Sequence, residues 1–342
     1  MRRHGGGVAG RDRIDKGEGM IVKDLHGRTI DYMRISITDR CNLRCKYCMP
    51  QGIQQVSMNE LLTYEEIETV CREAVKLGIR KFKITGGEPL VRKECTSLIR
   101  KIKEISGVEQ VTLTTNGILL KEHLDAFLLA GLDAVNVSLD TLEEKRFEEI
   151  TGFTGLRSVL SAIDAALECG LRVKVNTVLQ PGINDGEWNR FVELAKSREL
   201  DVRFIEMMPI GAGRSCSVVS NKELLSKIQE AYPGVEKDER IHGNGPAVYY
   251  RIPGILGSIG FISAIHGVFC DHCNRIRMTA TGELKPCLCF QDSISIRKAL
   301  REGNREDVRT LIAEAIHRKP KMHCFEQLQQ ITENKKMVQI GG

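Results

Sequence analysis

The chain has 342 residues, of which 42% are hydrophobic and 28% charged, as in folded proteins with a buried core. Its net charge of +5 suits the binding of a small polyanion but is too small to favour a nucleic-acid partner. No apolar run has the roughly 18 residues that a membrane-spanning helix needs. Because the 12 cysteines come without a sign of export, they favour metal binding in a reducing cytoplasm over disulfide bonds.

The first 19 residues are polar and rich in glycine, and Gly5, Gly6 and Gly7 follow one another. They lack the apolar stretch that a secretory signal requires. We therefore predict that residues 1–19 form a disordered leader, or that they precede the true start of the protein at Met20.

Between residues 30 and 206, short β-rich runs alternate with amphipathic stretches. The predicted strands are Tyr32–Thr38, Lys81–Thr85, Gln110–Thr115, Ala134–Leu139, Arg172–Thr177 and Asp201–Glu206. The predicted helices are Tyr64–Leu77, Cys95–Ile105, Leu120–Ala130, Leu156–Cys169 and Glu187–Ser197. Glycines at 78, 131 and 170 stand where helix C-terminal caps are expected. This alternation predicts an α/β fold with a parallel sheet, either an incomplete barrel or a flat doubly wound sheet.

Beyond residue 210 glycine and proline become more frequent, as in Gly243-Asn244-Gly245-Pro246. A second group of cysteines follows, and the patterns at Arg297–Arg301 and Arg305–Arg318 then predict two helices. The change in composition predicts a boundary near residue 210.

The first cysteine motif comes directly after the first predicted strand, with Cys41, Cys45 and Cys48 separated by three and two residues. Three thiolates can hold three corners of an iron–sulfur cubane and leave one iron open for chemistry. A structural zinc site is the alternative, but it usually has four ligands, and the next histidine is His123. The motif and its flanking residues Asp39, Arg40 and Tyr47 resemble those of the radical S-adenosylmethionine superfamily.

That resemblance implies a 4Fe-4S cluster and S-adenosyl-L-methionine as cofactors. Gly87, in the Gly-Gly-Glu-Pro turn after the second strand, matches the segment that binds the methionine amino group in that family. Tyr47, Ser138 and Met208 match other cofactor contacts. Without the resemblance, Gly-Gly-Glu-Pro would indicate only a tight turn.

The second cysteine motif contains Cys270, Cys273 and Cys287, which again provide three ligands. Spacing alone favours zinc, with Cys289 or His272 as the fourth ligand. Arg275 and Arg277 weigh against zinc, because they occupy alternate positions of a predicted strand and point the same way. Two guanidinium groups beside a metal site suit a phosphate-bearing substrate.

Cys-x-x-Cys-Asn-Arg-x-Arg, the later Pro-Cys-Leu, the Arg34–Cys41 segment and the Gly341-Gly342 tail together resemble the GTP 3′,8-cyclase family of molybdenum cofactor biosynthesis. The likeness extends from about residue 20 to the C-terminus. It implies an incomplete (βα)6 TIM-like barrel over residues 20–210. It also implies a C-terminal region, residues 211–342, that carries a second 4Fe-4S cluster on Cys270, Cys273 and Cys287 and covers the substrate.

The same resemblance implies roles for individual residues. GTP would be contacted by Arg34, Lys83, Thr114, Lys174, Arg203, Arg275, Ile276 and Arg277. Arg275, Arg277 and the two tail glycines, Gly341 and Gly342, would act in catalysis, with the tail entering the active site. Lys83 stands where the family often has arginine, which leaves a point charge in place of a planar fork.

The activity that the resemblance implies begins with cleavage of S-adenosylmethionine to a 5′-deoxyadenosyl radical, which takes a hydrogen atom from C3′ of GTP. The C3′ radical then adds to C8 of guanine. A reductase or flavodoxin-type electron donor and a downstream cyclic pyranopterin monophosphate synthase are the implied partners, and a homodimer is a candidate assembly.

Two other readings remain open at this point. One is a radical enzyme that modifies a peptide or protein, and the other is a zinc-binding scaffold or nucleic-acid adaptor. We expect Cys289 to be inert, in a buried strand. The remaining cysteines, Cys71, Cys95, Cys169, Cys216 and Cys324, are expected to be small buried hydrophobic residues.

Overall fold

The computed structural model describes residues 22–267 and 269–341, so the leader prediction for residues 1–19 and the role of Gly342 lie outside it. The strands are β1 (Tyr32–Ser36), β2 (Lys81–Thr85), β3 (Gln110–Thr115), β4 (Ala134–Ser138), β5 (Arg172–Thr177), β6 (Asp201–Ile205), β7 (Glu236–Asp238), β8 (Val248–Arg251), β9 (Ser258–Ile262), β10 (Arg275–Met278), β11 (Glu283–Lys285) and β12 (Ile294–Ser295). The helices are α1 (Tyr64–Lys76), α2 (Cys95–Lys103), α3 (Leu120–Leu129), α4 (Glu144–Thr151), α5 (Leu156–Glu168), α6 (Trp188–Lys196), α7 (Asn221–Ala231), α8 (Arg297–Arg301) and α9 (Arg305–His317).

The strands form one curved sheet, in the order β12-β11-β10-β1-β2-β3-β4-β5-β6-β9-β8-β7. Strands β1 to β6 are neighbours in chain order and all parallel. The C-terminal region adds β10 parallel to β1 at one side and β9 parallel to β6 at the other. Among the described residues the two edge strands, β12 and β7, do not pair with each other. The prediction of an incomplete barrel with a C-terminal extension is therefore confirmed.

Local sequence explains where the predicted helices begin and end. Helix α1 starts with a capping box, in which the Thr63 side chain accepts from the Glu66 backbone and the Glu66 side chain accepts from the Thr63 backbone. The glycines at 78, 131 and 170 adopt positive φ just beyond α1, α3 and α5. Helix α4 was not predicted from the sequence, because it has eight residues and buries only Phe147, Ile150 and Thr151.

The two faces of the sheet differ in polarity. On β2, Phe82 and Ile84 are fully buried in the main hydrophobic core, which the helices cover. Lys83 lies between them in sequence and therefore points to the opposite face, the inside of the barrel. The register places Arg277, Arg34 and Lys83 side by side on β10, β1 and β2. In the described part of the chain, no helix is both long and apolar enough to span a membrane.

Candidate functional site

The first cysteine loop leaves the barrel after β1 and carries Cys41, Cys45 and Cys48, all partly exposed. The backbone N–H of Cys48 donates to the carbonyl of Cys45 over 3.0 Å. At its base, the N–H of Arg44 donates to the carbonyl of Thr151 over 2.7 Å, which ties the loop to the end of α4. The loop is thus fixed to the scaffold, and it carries all three cysteines.

The two glycines after β2 allow the backbone to approach this loop closely. The N–H of Gly87 donates to the carbonyl of Thr38 over 2.7 Å, just ahead of the cysteines. A Cβ atom on Gly86 would lie 2.7 Å from the Thr38 carbonyl oxygen, and one on Gly87 would lie 2.3 Å from the Arg40 carbonyl oxygen. Both contacts are too short for any side chain, so this crossing requires glycine.

Glu88 connects the ends of β2 and β3. It is 1% exposed, and its carboxylate accepts from the Thr115 hydroxyl at 2.8 Å and from the N–H groups of Asn116 at 2.6 Å and Leu90 at 3.0 Å. Burial raises the pKa of Glu88 to about 7, although these three donors oppose the shift. Asn116 in turn donates to the Asn42 side chain over 2.7 Å, beside Cys41.

A second carboxylate connects the cysteine loop with β4. The Tyr47 hydroxyl donates to Asp140 over 2.6 Å, and the N–H of Val178 donates to the same carboxylate over 2.8 Å. Burial raises the pKa of Asp140 to about 6. Tyr47 is therefore held at the mouth of the barrel, near Ser138 at the end of β4.

The segment after β6 is fixed by Glu206, which is 2% exposed. Its carboxylate accepts from the backbone N–H of Ile265 at 2.8 Å and of His266 at 3.0 Å, and it also contacts the His266 ring. Met208 follows two residues later. Its position is therefore set by the loop after β9.

The second cysteine set lies across the barrel mouth, on the segments around β10 and β11. The N–H of His323 donates to the Cys270 sulfur over 3.3 Å. Lys319 is 4% exposed. Its ammonium group donates to the carbonyls of Arg275 and Pro286 over 2.9 Å each. Burial alone would raise the pKa of Cys273, but the positive charges of Lys319 and Arg275 outweigh it, so its pKa is lowered. The surroundings favour a thiolate, the form that binds metal.

The C-terminal tail runs between the two cysteine sets. The Lys336 ammonium donates to the carbonyl of Gly52, in the first cysteine loop, over 2.8 Å. Ile340 is fully buried. At the end of the described chain, the Arg277 guanidinium donates to the carbonyl of Gly341 over 2.8 Å.

These parts enclose two adjoining cavities. The first, of about 260 Å³, is lined among others by Tyr47, Ser138, Met208, Met337, Cys270, Cys273, Cys287 and Arg277. The second, of about 110 Å³, lies deeper in the barrel and is lined among others by Lys83, Lys174, Arg203, His242 and Asn244. Arg34, Thr114 and Arg275 line both cavities.

Comparisons with known proteins agree with this arrangement. Residues 35–195 match the Radical SAM superfamily, and residues 200–325 match the family described as Molybdenum Cofactor Synthesis C. A GTP 3′,8-cyclase of Clostridium perfringens (strain SM101 / Type A) is 43% identical over 323 residues, which are 94% of this chain and 100% of that protein. The GTP 3′,8-cyclase of Peptoclostridium acidaminophilum is 44% identical over 328 residues, covering 94% of this chain and 98% of that one.

The chain belongs to the GTP 3′,8-cyclase family. Among solved structures, Streptococcus suis SuiB bound to S-adenosylmethionine has a TM-score of 0.60 at 13% identity and covers 92% of this chain and 79% of its own. SuiB bound to the precursor peptide SuiA has a TM-score of 0.58 at 14% identity, covering 92% and 77%. At this identity the likeness concerns the fold alone.

As a radical SAM protein, this member of the cyclase family uses a 4Fe-4S cluster and S-adenosylmethionine. The residues fit that cluster, because one short loop with a fixed backbone carries three cysteines. Burial raises the pKa of Cys48 to about 12, so iron must displace a proton when it binds there. Among the described residues, no three His, Cys, Asp or Glu side chains are placed to hold a single metal ion. The ligand assignment therefore rests on motif spacing and on the family.

The cyclase pocket concentrates positive charge. Burial lowers the pKa of Lys83 well below its ordinary value, and Arg203 and Arg34 lower it further. Burial likewise lowers the pKa of Arg277, with Arg34 and Arg275 adding to the effect. These buried cations repel one another, and their combined positive potential attracts a polyanion.

Lys174 has a carboxylate partner in the deep cavity. It forms an ion pair with Asp201, whose other oxygen lies 3.0 Å from the His242 ring. The second nitrogen of that ring lies 3.0 Å from Asp238, and the ring stacks on Tyr249 at 4.0 Å. The loop that follows reaches across the barrel, where Asn244 hydrogen-bonds with Gln110. This loop closes the deep end of the pocket.

Most of the predicted site residues line the two cavities, but Cys41, Cys45, Cys48, Gly87, Ile276 and Gly341 are not among the lining residues. The Ile276 side chain is fully buried in the hydrophobic core, so only its backbone faces the site. Gly87 lies beneath the first cysteine loop. Cys289 is buried, but the strand predicted for it is wrong, because it lies in a bend after β11. The prediction that all scattered cysteines are buried is also wrong, since Cys169 is exposed.

Sequence reasoning missed several residues that organise the site. Lys319 lies beside the second cysteine set, and Lys336 holds the tail. Arg28 donates to the carbonyl of Cys270 at 2.8 Å and to that of Lys321 at 2.9 Å. None of the three belongs to a motif, and only their position after folding reveals them.

Proposed function

We propose that this protein converts GTP to (8S)-3′,8-cyclo-7,8-dihydroguanosine 5′-triphosphate, the first step of molybdenum cofactor biosynthesis. One observation carries the proposal. A single cavity is lined both by Tyr47, Ser138 and Met208 and by the thiols of the second cysteine set, and it opens onto a deep cluster of lysine and arginine side chains. This arrangement can bring a radical source, a purine base and a triphosphate together.

Cys41, Cys45 and Cys48 hold the first cluster in this proposal. Bound there with S-adenosylmethionine, the cluster would supply the electron that cleaves the sulfonium to a 5′-deoxyadenosyl radical. Gly87 holds the methionine end of the cofactor through its backbone, and Tyr47, Ser138 and Met208 contact the remainder. The Tyr47–Asp140 hydrogen bond orients the tyrosine ring for this purpose.

Cys270, Cys273 and Cys287 would hold a second 4Fe-4S cluster, which would supply a binding site for the guanine. The triphosphate extends into the deep cavity, where Lys83, Lys174 and Arg203 neutralise it. Arg34, Thr114, Arg275 and Arg277 lie between the two ends and hold the ribose region, with the backbone of Ile276 beside them. The hydrogen atom at C3′ is removed there, and the carbon radical adds to C8 within the same bound molecule. One electron from the electron donor and one proton then convert the resulting base radical to the 7,8-dihydro product.

The tail completes the site by excluding water from it. Arg277 donates to the carbonyl of Gly341, so the tail fixes this guanidinium where the substrate radical forms. The further partners are a reductase or flavodoxin-type electron donor and a cyclic pyranopterin monophosphate synthase that consumes the product. The reaction takes place in the cytoplasm, and the assembly we propose is a homodimer.

An anaerobic assay of the reconstituted protein with dithionite, S-adenosylmethionine and GTP tests the proposal. Mass spectrometry should detect 5′-deoxyadenosine and the cyclised GTP product together. Formation of 5′-deoxyadenosine without a GTP product would contradict the cyclase activity and favour a radical enzyme that modifies peptides. A colourless protein that contains zinc would contradict the radical chemistry itself.

Cys287→Ser separates the two clusters. It should lower the iron content to that of one cluster and abolish the GTP product, while leaving slow formation of 5′-deoxyadenosine. Cys169→Ser, at an exposed cysteine outside the site, is the matched control and should behave like the parent protein. Full product formation by Cys287→Ser would contradict the second cluster.

A further inference from the structure

Two cysteines outside both proposed ligand sets lie in direct contact. The sulfur atoms of Cys289 and Cys324 are 2.9 Å apart, and the N–H of Cys324 donates to the Cys289 sulfur over 3.3 Å. Cys289 is fully buried, whereas Cys324 is partly exposed. The separation exceeds a sulfur–sulfur bond by only about 1 Å, so a small side-chain movement can close it.

The pair joins two segments that surround the second cysteine set. Cys289 lies two residues beyond Cys287, on the loop after β11. Cys324 follows His323, whose N–H donates to the Cys270 sulfur. A bond between them would therefore connect the loop that carries one proposed iron ligand to the segment that hydrogen-bonds to another.

The tail depends on the same region. Cys289 belongs to a small hydrophobic cluster with Phe325, Ile331 and Ile340, and Ile340 directly precedes the glycine that Arg277 contacts. The N–H of Glu333 also donates to the carbonyl of Cys289 over 3.3 Å. Fixing Cys289 to Cys324 would restrict both the cover over the second cysteine set and the start of the tail.

We propose that Cys289 and Cys324 are a disulfide-forming pair that fastens the C-terminal segment over the second cysteine set. The oxidant is a small-molecule or protein disulfide. The partly exposed Cys324 attacks it as the thiolate, forms a mixed disulfide and releases one thiol. Cys289 then attacks the Cys324 sulfur and releases the second thiol. Two cysteine thiols are oxidised, one external disulfide is reduced to two thiols, and the two cysteine protons pass to those thiols.

Peptide mapping of the full-length, cluster-loaded protein tests the bond itself. The protein is treated anaerobically with oxidised glutathione, alkylated and digested. We expect one cross-linked peptide pair containing Cys289 and Cys324, two hydrogen atoms lighter than the reduced pair, with no loss of iron. Cys324→Ser and Cys289→Ser should each remove the cross-link. Cys169→Ser should retain it.

Three results would overturn the pairing. The first is alkylation of both cysteines after glutathione treatment. The second is a cross-link that contains Cys287 instead of Cys289. The third is loss of iron from Cys289→Ser in the reduced state, which would make Cys289 an iron ligand.

Iron release to a chelator tests the fastening. The oxidised parent protein should release the iron of its second cluster several-fold more slowly than the reduced parent. Cys324→Ser should release it at one rate under both conditions. Equal or faster release from the oxidised parent would refute the fastening even where the disulfide forms. Because none of these readouts requires GTP turnover, their failure is distinguishable from failure of the proposed activity.

Discussion

At the residue scale, the site depends on buried charged side chains and on glycines that no other residue can replace. Lys83 is buried among other cations, and the turn after β2 leaves no room for a Cβ atom. Burying the Lys83 charge costs free energy, which a bound polyanion offsets. The absence of a Cβ atom in the turn leaves room for the neighbouring loop. Each case leads to a measurable prediction.

Lys83→Met should weaken GTP binding by about 1.5–3 kcal/mol, because it removes a charged hydrogen-bond donor from the pocket. It should also reduce proton uptake on binding. The pKa of Lys83 is lowered in the free protein, and a triphosphate raises it, so binding takes up protons between the two pKa values and weakens as pH rises through that range. Calorimetry in buffers of different ionisation enthalpy measures this uptake.

Lys81→Met is the matched control for that experiment. Lys81 lies on the same strand, but it is paired with Asp31 at 2.7 Å. The control should retain the proton uptake of the parent protein. Uptake that is unchanged in Lys83→Met would show that another group takes up the proton.

Gly87→Ala should prevent assembly of the first cluster. Its Cβ would lie 2.3 Å from the Arg40 carbonyl oxygen, so the loop that starts with Cys41 must move away. We expect loss of most of the iron of that cluster and destabilisation by about 1–3 kcal/mol, measured by iron content and thermal unfolding. Gly186→Ala, where no atom lies within 4 Å of the added Cβ, should match the parent. Normal iron content in Gly87→Ala would refute this role.

At the scale of elements, the C-terminal region is joined to the barrel through buried polar contacts as well as through strand pairing. Lys285, at the end of β11, forms an ion pair with Glu333, and the two side chains are 1% and 0% exposed. The Lys285 ammonium also donates to the carbonyl of Phe290 over 3.0 Å. This contact anchors the segment that leads into the tail.

Glu333→Gln should cost roughly 3–5 kcal/mol of stability, because it leaves the Lys285 cation buried without a counter-charge. Denaturant unfolding and limited proteolysis should both report the loosened C-terminal segment. The double variant Lys285→Met, Glu333→Leu should recover most of the loss, since it removes both charges. Glu239→Gln, in the exposed Lys237–Glu239 pair, should change stability by no more than about 0.5 kcal/mol. A parent-like Glu333→Gln would contradict the anchoring role.

At the scale of the whole molecule, one chain closes its own active site. The tail contacts the first cysteine loop through Lys336 and ends on Arg277, which lies on β10 next to β1. The barrel, the second cysteine set and the tail therefore meet only when the complete chain is folded. The reaction we propose needs this closure, because a primary carbon radical must be kept from solvent.

Deletion of Gly341 and Gly342 should abolish formation of the GTP product while both clusters remain loaded. Arg277 would lose its carbonyl partner, and the mouth of the cavity would be less well covered. The assay compares product formation with iron content and thermal unfolding in the same preparation. Normal turnover by the shortened chain would contradict the role of the tail, and joint loss of iron and stability would show that the glycines are structural.

Local patterns in the sequence were sufficient to predict the strands of the barrel and to locate its motifs. The six strands β1 to β6 were predicted within two residues at each end, because alternation of side chains and glycine after helices are local signals. Both cysteine motifs, Arg275 and Arg277 could also be singled out, since each motif is contiguous or nearly so, and their roles stay predictions. Their spacing indicates chemistry without knowledge of the fold.

Tertiary structure alone decided the remainder. Strands β7, β8, β11 and β12 have only two to four residues and lie at the two sides of the sheet, where pairing with a neighbouring strand decides their conformation. Lys319 lies beside the second cysteine set, where it donates to the carbonyl of Arg275. Cys289 contacts Cys324, which is 35 residues further along the chain. Such contacts join segments that are distant in sequence and leave no periodic pattern, so they are determined by how the segments pack.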